Sequence, residues 1–159
     1  MKKRPWLAYV VWIALAEGVG LAAGLLIRED ARIYADVVAK PPLSPPPWVF
    51  PAVWTVLYAL MGVGAARVFL KESAPARTRG LVLFAVQLAF NFCWPLIFFR
   101  ARAFAAAALW LAALLTLAGW MAAEFGRTDR PAGRIQLPYL LWLVFAEYLN
   151  LGVWLLNGM

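Results

Sequence analysis

The sequence contains no histidine and only one cysteine, Cys93. Histidine is the side chain that titrates near neutral pH and the commonest metal ligand, so its absence excludes a histidine-based metal site and removes the usual general acid–base group. It also removes the usual proximal ligand of haem iron. A single cysteine cannot form an intramolecular disulfide. The chain therefore has little of the chemistry on which most hydrolases and metalloenzymes depend.

Charged residues are also scarce, at 14% of the 159 residues against 65% hydrophobic ones. An ordinary soluble domain has about 25% charged residues. The hydrophobic residues fall into five runs, at about 6–27, 48–70, 80–99, 103–123 and 135–156. Each run has about 20 residues, the length at which a helix crosses the ~30 Å hydrocarbon core of a bilayer. The runs do not alternate as the strands of a membrane barrel do. The sequence predicts an all-α membrane protein, a bundle of five transmembrane helices in one domain spanning residues 1–159.

The first run follows a short basic segment, residues 1–4, which is typical of a signal peptide. It continues for about 22 residues without a small-residue cleavage motif, and four more spans follow it. We therefore interpret it as a retained first membrane span.

The lysines and arginines are distributed unevenly between the two sides of the predicted membrane. The side with the N-terminus carries ten, namely Lys2, Lys3, Arg4, Arg67, Lys71, Arg77, Arg79, Arg127, Arg130 and Arg134. The opposite side carries five, namely Arg28, Arg32, Lys40, Arg100 and Arg102. The positive-inside rule predicts a cytoplasmic N-terminus and an external C-terminus in a bacterial cell membrane. The net charge of +7 is then a topology signal and an attraction to anionic membrane lipid. We expect no nucleic-acid partner, because no segment supplies a folded basic face.

Residues 28–47, which we call the connector, form the longest predicted loop and join the first two spans. Five of the last seven connector residues are proline, at positions 41, 42, 45, 46 and 47. Proline lacks the N–H that a helix needs and favours an extended, polyproline-like path. Residues 30–39 are predicted to form a short surface helix with Ile33, Tyr34 and Val37 on one face. The connector is thus predicted to be a stiff lid over the bundle.

Three spans each place aromatic or amide side chains on one face. These are Trp54 and Tyr58 in the second span, Gln87, Asn91 and Trp94 in the third, and Trp142, Ala146, Leu149 and Asn150 in the fifth. If the three faces converge, they form an apolar pocket with a few polar anchors, which is the usual composition of a small-molecule site. The alternative is that the aromatic stripes are packing and the amides hold helices together. Pro95 is predicted to disturb the end of the third span.

Two carboxylates and two pairs of small residues also fall inside the spans. Glu17 and Glu147 are costly in a membrane, so each either serves a function or is protonated or paired within the bundle. Gly20 and Gly24 predict a close helix approach in the first span. Residues 85 and 89, both alanine, are a candidate oligomer face in the third span.

Three segments carry a family resemblance. They are residues 40–62 (KPPLSPPPWVFPAVWTVLYALMG), 87–99 (QLAFNFCWPLIFF) and 138–150 (PYLLWLVFAEYLN). In this order, the motifs within them resemble the signature of the translocator protein, or tryptophan-rich sensory protein, family (TspO/MBR).

The resemblance implies a five-helix bundle that often forms a homodimer, with a pocket closed by the connector. Family members bind porphyrins and haem, animal members bind cholesterol, and drug-like benzodiazepine-type or isoquinoline ligands also bind. The resemblance matches Tyr34 to a loop tyrosine near the ligand, and Ala146 and Leu149 to positions that contact drugs. Trp54 and Trp142 correspond to two tryptophans required when some bacterial members photodegrade protoporphyrin.

The ligand-binding residues expected from the faces and the resemblance together form one set. They are Tyr34, Trp54, Tyr58, Gln87, Asn91, Trp94, Trp142, Ala146, Leu149 and Asn150.

Two departures from the animal pattern reshape the expected site. The end of the fifth span lacks the tyrosine and following basic residue of the animal cholesterol motif. Ala106 stands where animal members carry a tryptophan in the drug site. These differences argue against specific cholesterol binding through that motif.

The leading functional hypothesis is a membrane protein that binds and senses tetrapyrroles (protoporphyrin or haem) or related hydrophobic ligands. Its tryptophans would stack on the macrocycle, and Arg28, Arg32 or Lys40 would pair with the propionates. No cofactor is required and no metal site is expected. Without histidine, metal-free porphyrin is expected to bind at least as well as haem. The alternatives are a transporter of porphyrins or other hydrophobic molecules, and an enzyme that degrades porphyrin in light.

Overall fold

The computed structural model describes residues 4–158, which form helices and short connections with no β-strand among them. The helices are α1 (Pro5–Leu26), α2 (Arg28–Val37), α3 (Val49–Phe69), α4 (Pro75–Pro95), α5 (Phe104–Thr128), α6 (Arg130–Arg134) and α7 (Leu137–Asn157). A five-residue π-helical turn, Leu96–Arg100, continues α4. Five segments are long and apolar enough to cross a membrane: α1, α3, α4 with its π turn, α5, and α6 with α7. The predicted all-α fold with five membrane spans is confirmed.

Prolines mark the boundaries of several helices. Pro5, Pro75 and Pro138 stand in the first turns of α1, α4 and α7, where a missing N–H costs nothing. Pro95 ends α4, because it cannot donate to the carbonyl four residues earlier, and the chain continues as the π turn. The predicted disturbance at Pro95 is confirmed.

Two spans are longer than the hydrophobic runs indicated. The third span begins at Pro75 rather than near residue 80, and α5 ends at Thr128 rather than near residue 123. The added turns are polar, and several of their charges are paired, since Glu124 accepts from Arg79 at 3.2 Å and from Arg127 at 2.8 Å. The hydrophobic runs ended these spans too early, because a charged residue interrupts a run even where another side chain pairs with its charge.

Glycines allow two of the spans to approach closely. A Cβ added to Gly62 would lie 2.5 Å from the Cα of Ile13, so α3 meets the α1 backbone at this point. Gly20 leaves room for the ring of Tyr58, whereas Gly24 has no atom of another residue near its missing Cβ. The predicted close approach therefore occurs at Gly20, and the prediction for Gly24 was wrong.

The two ends of the bundle differ in charge. At one end, which we call the basic end, Asp129 accepts from the Ala132 N–H and so caps α6. Its carboxylate also binds Arg67 at 2.7 Å and Lys71 at 3.0 Å. The hydrogen bond from Arg67, with help from Lys71, lowers the pKa of the Asp129 carboxyl below its usual value. The basic end is thus held by ion pairs that join α3, α4, α5 and α6.

The opposite end, the connector end, is covered by α2 and the proline-rich segment. Tyr34 of α2 turns inward, but Ile33 and Val37 are 43% and 68% exposed. The predicted short surface helix is confirmed as α2, and its helical period places the three residues on one side, of which only Tyr34 packs against the bundle. Arg100 of the π turn binds Asp30 at 3.1 Å and the Leu26 carbonyl, which orients α2 with Tyr34 toward the bundle.

Candidate functional site

A polar network lies in the core between α4 and α7. The Tyr139 hydroxyl donates to Gln87 Oε1 at 2.7 Å and accepts from Asn91 Nδ2 at 2.6 Å. Asn91 Nδ2 also donates to Gln87 Oε1 at 2.7 Å, and Gln87 Nε2 reaches the Met61 sulfur at 3.5 Å. All three polar side chains are buried. Their hydrogen-bonding groups are largely engaged with one another.

Trp54 and Tyr58 of α3 pack beside this network. Their ring centroids are 5.5 Å apart, and the Trp54 ring lies edge-on to Tyr139 at 6.4 Å. Tyr58 is buried against Gly20 of α1. The structure thus brings together Trp54, Tyr58 and the amide pair of α4 around Tyr139.

A second group of aromatic residues lies under the connector. The Trp94 indole N–H donates to Asn150 Oδ1 at 3.1 Å, and Asn150 Nδ2 donates to the Phe104 carbonyl at 2.8 Å. The Trp94 ring stacks on Phe98, with centroids 5.1 Å apart. Among the expected ligand residues, Trp94 and Asn150 are therefore hydrogen-bonded to each other.

Tyr34 of α2 packs against this group on the side of the connector. Its ring centroid is 5.4 Å from that of Phe98 and 5.1 Å from that of Phe99. Partial burial raises the pKa of the Tyr34 hydroxyl to about 12, so it stays protonated at neutral pH. The Lys40 ammonium lies over the same ring, 5.2 Å from its centroid. Tyr34 thus places a neutral aromatic ring between the connector and Phe98, next to the Lys40 cation.

Trp142 packs against the core cluster that contains Tyr58 and Tyr139, and it lines a groove between α3 and α7. The groove has a volume of about 590 Å³ and an almost wholly apolar lining. The lining residues are Ala52, Val53, Val56, Leu57, Pro138, Leu141, Trp142 and Phe145. The Trp142 ring packs against Phe50 and Phe145, with centroids 6.0 and 5.5 Å away. Its indole N–H is buried and meets no acceptor among residues 4–158. Trp54 is not part of the lining.

The remaining expected residues, Ala146 and Leu149, are buried on α7. Neither lines the α3–α7 groove, so the stripe predicted on α7 is divided between core and groove. Ala106, where animal members carry a tryptophan, is exposed.

Sequence reasoning left Tyr139, Phe98, Phe99 and Phe145 out of the site. Tyr139 precedes Ala146 by seven residues and Asn150 by eleven, so it shares their helix face, and that spacing was available in the sequence. The contacts of Phe98 and Phe99 had no such signal, because they depend on the π turn after Pro95.

The carboxylates inside the spans do not join these groups by hydrogen bonds in the described part of the chain. Glu17 is half-buried, and Glu147 Oε2 is buried without a partner among residues 4–158. Within the same residues, no three Asp, Glu or Cys side chains lie close enough to hold a metal ion.

An all-helical bundle with five membrane spans, capped at one end by a proline-rich connector, defines an integral membrane protein. Residues 10–155 match the model of the TspO/MBR family. The chain belongs to this family.

Relatives with known names are similar to this chain over almost the full length of both proteins. The tryptophan-rich protein TspO of Chlorobaculum tepidum is 34% identical, over 95% of this chain and 96% of its own. The tryptophan-rich sensory protein of Cereibacter sphaeroides is 37% identical, over 96% and 92% of the two chains. The human translocator protein is 37% identical, over 94% and 90%.

Proposed function

We propose that the protein binds and senses a flat, hydrophobic ligand of the tetrapyrrole class, with the α3–α7 groove as its binding site. The single observation that carries the proposal is this groove with Trp142 in its wall. The groove has a volume of about 590 Å³ and is open along its outer side, where Val56 and Leu141 of its lining are exposed, so a flat ligand would lie along it. Trp142 would supply an aromatic surface on which a flat ligand packs.

The acidic edge of a tetrapyrrole would need a cation outside the groove. The groove lining holds no ionisable side chain, so carboxylates would lie outside it. At the connector end, Lys40 makes no ion pair with a carboxylate among the described residues and donates only to the carbonyls of Ala35 and Val38. An ammonium has three N–H donors, so one remains for a propionate. Lys40 is thus the cation that we assign to the ligand.

The names of the relatives support a ligand-handling role in a membrane, without naming the ligand. The relatives are called translocator and tryptophan-rich sensory proteins, which agrees with a membrane protein that takes up a hydrophobic ligand. We also infer that the basic end faces the cytoplasm, on the strength of the ten cations on that side. A bacterial cell membrane and a homodimer belong to the same proposal.

The proposal is tested by titrating protoporphyrin IX in the dark into the detergent-solubilised protein, following the porphyrin absorbance. We expect saturable binding that Trp142→Phe weakens up to about tenfold, because the stacking area of the indole is reduced, at a cost of up to about 1.4 kcal/mol. Trp54→Phe should weaken it less, since Trp54 packs on Tyr58 and Tyr139 rather than in the groove. Haem should bind no better than protoporphyrin, because the chain has no histidine to ligate iron.

The matched control is Trp120→Phe, at a tryptophan that is 53% exposed and remote from the groove lining. This variant should bind as the unmodified protein does. Absence of saturable binding, or equal affinity in the Trp142 and Trp120 variants, would remove the groove as the tetrapyrrole site. A Trp54 effect larger than the Trp142 effect would move the site to the cluster around Tyr139.

Transport is the second candidate, and Glu147 is the observation that favours it. A carboxyl oxygen buried inside a membrane span without a partner is a candidate for carrying a proton. Porphyrin flux into proteoliposomes, compared between the unmodified protein and Glu147→Gln, tests this function. Flux that is independent of a pH gradient and of the substitution would exclude proton-coupled transport through Glu147. Light-dependent loss of bound porphyrin, compared in the Trp54 and Trp142 variants, tests the degrading activity.

A further inference from the structure

Two arginines of neighbouring spans meet at one buried carboxylate of the basic end. Arg79 of α4 donates to Glu124 Oε2 at 3.2 Å, and Arg127 of α5 donates to Glu124 Oε1 at 2.8 Å. Glu124 is buried, and the Trp120 indole N–H also donates to it at 3.4 Å. Both arginine side chains are at least half exposed. Two positive charges thus meet one negative charge, and the cluster keeps a net positive charge.

The two guanidinium groups have the geometry and the donors to bind a phosphate. Each has five N–H donors in a planar fork, which matches the oxygen atoms of a phosphate. Each uses one of these donors on Glu124 in the hydrogen bonds of residues 4–158. Glu124 holds the two groups together, although their like charges repel each other. A phosphodiester carries one negative charge, so its binding to both arginines would balance the charge of the cluster.

Trp120 indicates that the arginine pair lies at the level of the lipid head groups. Its ring is exposed on α5, four residues before Glu124. Exposed tryptophans of membrane spans are enriched at the membrane–water interface. Arg127 follows Glu124 by three residues, in the last turn of the span. A phosphate that reaches both arginines beside this tryptophan can therefore belong to a membrane phospholipid.

An apolar surface leads from the arginine pair toward the centre of the bilayer. Helices α4 and α5 are antiparallel, with Arg79 near one end of this surface and the rings of Phe90 and Trp110 stacked at 4.3 Å near the other. Between these points Val82 and Val86 of α4 are exposed, and we call them the seam. The helix rises about 16 Å from Arg79 to Phe90, which is about half of the ~30 Å hydrocarbon core. The seam thus has the length that one acyl chain of a phospholipid needs.

We propose that Arg79 and Arg127 bind the head-group phosphate of an anionic phospholipid, with an acyl chain packed along the seam. Glu124 positions the two arginines and does not touch the lipid. An anionic lipid is preferred over a zwitterionic one, because a choline group would bring a further positive charge toward the arginines. None of these residues lines the α3–α7 groove, so the inference is independent of the proposed function.

Native mass spectrometry of the detergent-solubilised protein tests the site by counting bound lipid molecules. Phosphatidylglycerol is titrated as the anionic lipid, and phosphatidylcholine with the same acyl chains as the zwitterionic one. We expect phosphatidylglycerol to bind more tightly. Arg79→Gln and Arg127→Gln should each weaken its binding about fivefold, the usual contribution of one basic residue at an anionic membrane surface. Both substitutions should change phosphatidylcholine binding less.

Arg134→Gln is the matched control, because it removes the same charge from the same end of the bundle. Arg134 is exposed, and the ion pairs of residues 4–158 do not include it. Its neighbour Gly133 packs against Gly126 of α5. Gly126 lies about 200° around the helix from Glu124, so α6 contacts the far side of α5. This variant should bind phosphatidylglycerol nearly as the unmodified protein does.

Two further measurements separate the site from a folding defect and from a site for free phosphate. Arg127→Lys keeps the charge and loses the fork, so its phosphatidylglycerol affinity should lie between those of the unmodified protein and Arg127→Gln. Both Arg127 variants should melt close to the unmodified protein by circular dichroism, because this side chain is exposed. Inorganic phosphate should not displace phosphatidylglycerol, because it has no acyl chain to pack on the seam.

Equal binding of the two lipids by the unmodified protein would overturn the site. Equal losses in the Arg79, Arg127 and Arg134 variants would also overturn it, because they would show a general attraction of the basic end. Weaker lipid binding that accompanies a lower melting temperature in both Arg127 variants would overturn the direct contact. Displacement by inorganic phosphate would overturn the assignment to a lipid. Porphyrin binding is measured separately, so failure of this site and failure of the proposed function are distinguishable.

Discussion

At the scale of single residues, burial decides whether a polar side chain is available to a ligand. Gln87 and Asn91 share a helix face, as their spacing predicts, but that face meets Tyr139. A buried amide that lacks a partner costs free energy, so this network stabilises the core whether or not a ligand binds. We therefore interpret the two amides as supports for Tyr139, and through it for Trp54. Direct ligand contact remains a prediction for both.

Tyr139→Phe tests this interpretation. The change removes two hydrogen bonds and leaves the ring, so we expect the protein to lose about 1–2 kcal/mol of unfolding free energy. Unfolding in mixed detergent micelles, followed by circular dichroism, measures the loss. Tyr148→Phe is the matched control, since it deletes a hydroxyl at an exposed site and should cost less than Tyr139→Phe. Equal losses in the two variants would contradict a stabilising network at Tyr139.

At the scale of helices, small residues determine where the spans touch. In lipid, no hydrophobic effect draws one apolar helix to another, so close packing has a larger role. Gly62 allows α3 to meet the α1 backbone, and the sequence analysis did not single it out. Gly24 belonged to the predicted pair but has no close neighbour from another residue. A small-residue spacing shows that close approach is allowed, and the partner helix decides which glycine is used.

Gly62→Ala should separate α1 from α3, because the added Cβ meets backbone atoms that cannot rotate away. We expect a loss of about 1–3 kcal/mol, the usual cost of overpacking. Gly24→Ala is the control and should be neutral or slightly stabilising, because alanine favours the helix and nothing lies near. Melting temperatures in detergent compare the two variants. A Gly24 variant that is destabilised as much as the Gly62 variant would rule out this explanation.

At the scale of the whole molecule, the two ends of the bundle are held differently. The basic end is closed by ion pairs around Asp129 and Glu124. The connector end is closed by aromatic packing under Tyr34, by neutral hydrogen bonds from α7 to residues 39–42 and by the ion pair of Arg100 with Asp30. Acid should therefore loosen the basic end more than the connector end, because more of the contacts at the basic end depend on ionised carboxylates.

The lowered pKa of the Asp129 carboxyl determines whether acid increases or decreases the free energy of unfolding. Its pKa is lowered in the folded protein, chiefly by Arg67, so the unfolded chain takes up the proton first as the pH falls. The stabilisation is present above the usual aspartate pKa and is lost as the pH falls through the folded pKa. Unfolding at a series of pH values from neutral to acidic should show this decline. Asp129→Asn should be less stable at neutral pH and should decline less with acid.

Asp36→Asn, at an exposed aspartate of α2, is the control and should keep the full acid dependence. A decline that is equally steep in the Asp129 and Asp36 variants would mean that other carboxyls cause it.

Much of the fold could be predicted from the sequence because its signals are local. Each of the five apolar runs is long enough by itself to predict a membrane span. Each proline of residues 41–47 restricts the backbone at its own position. Pro95 ended α4 for the same reason. The errors came where charges are paired across helices, as at the end of α5, and where the partner helix decides which small residue is used, as at Gly24.

The sequence by itself determined the number of spans, the position of the connector, the family motifs and the uneven charge of the two sides. Only the tertiary structure decided which faces meet: Gln87 and Asn91 contact Tyr139, Trp94 bonds to Asn150, and Trp142 lines a groove that excludes Trp54. The physical reason is that helical periodicity places a residue on a face of its own helix. The partner of that face depends on how helices pack in a medium as apolar as their side chains.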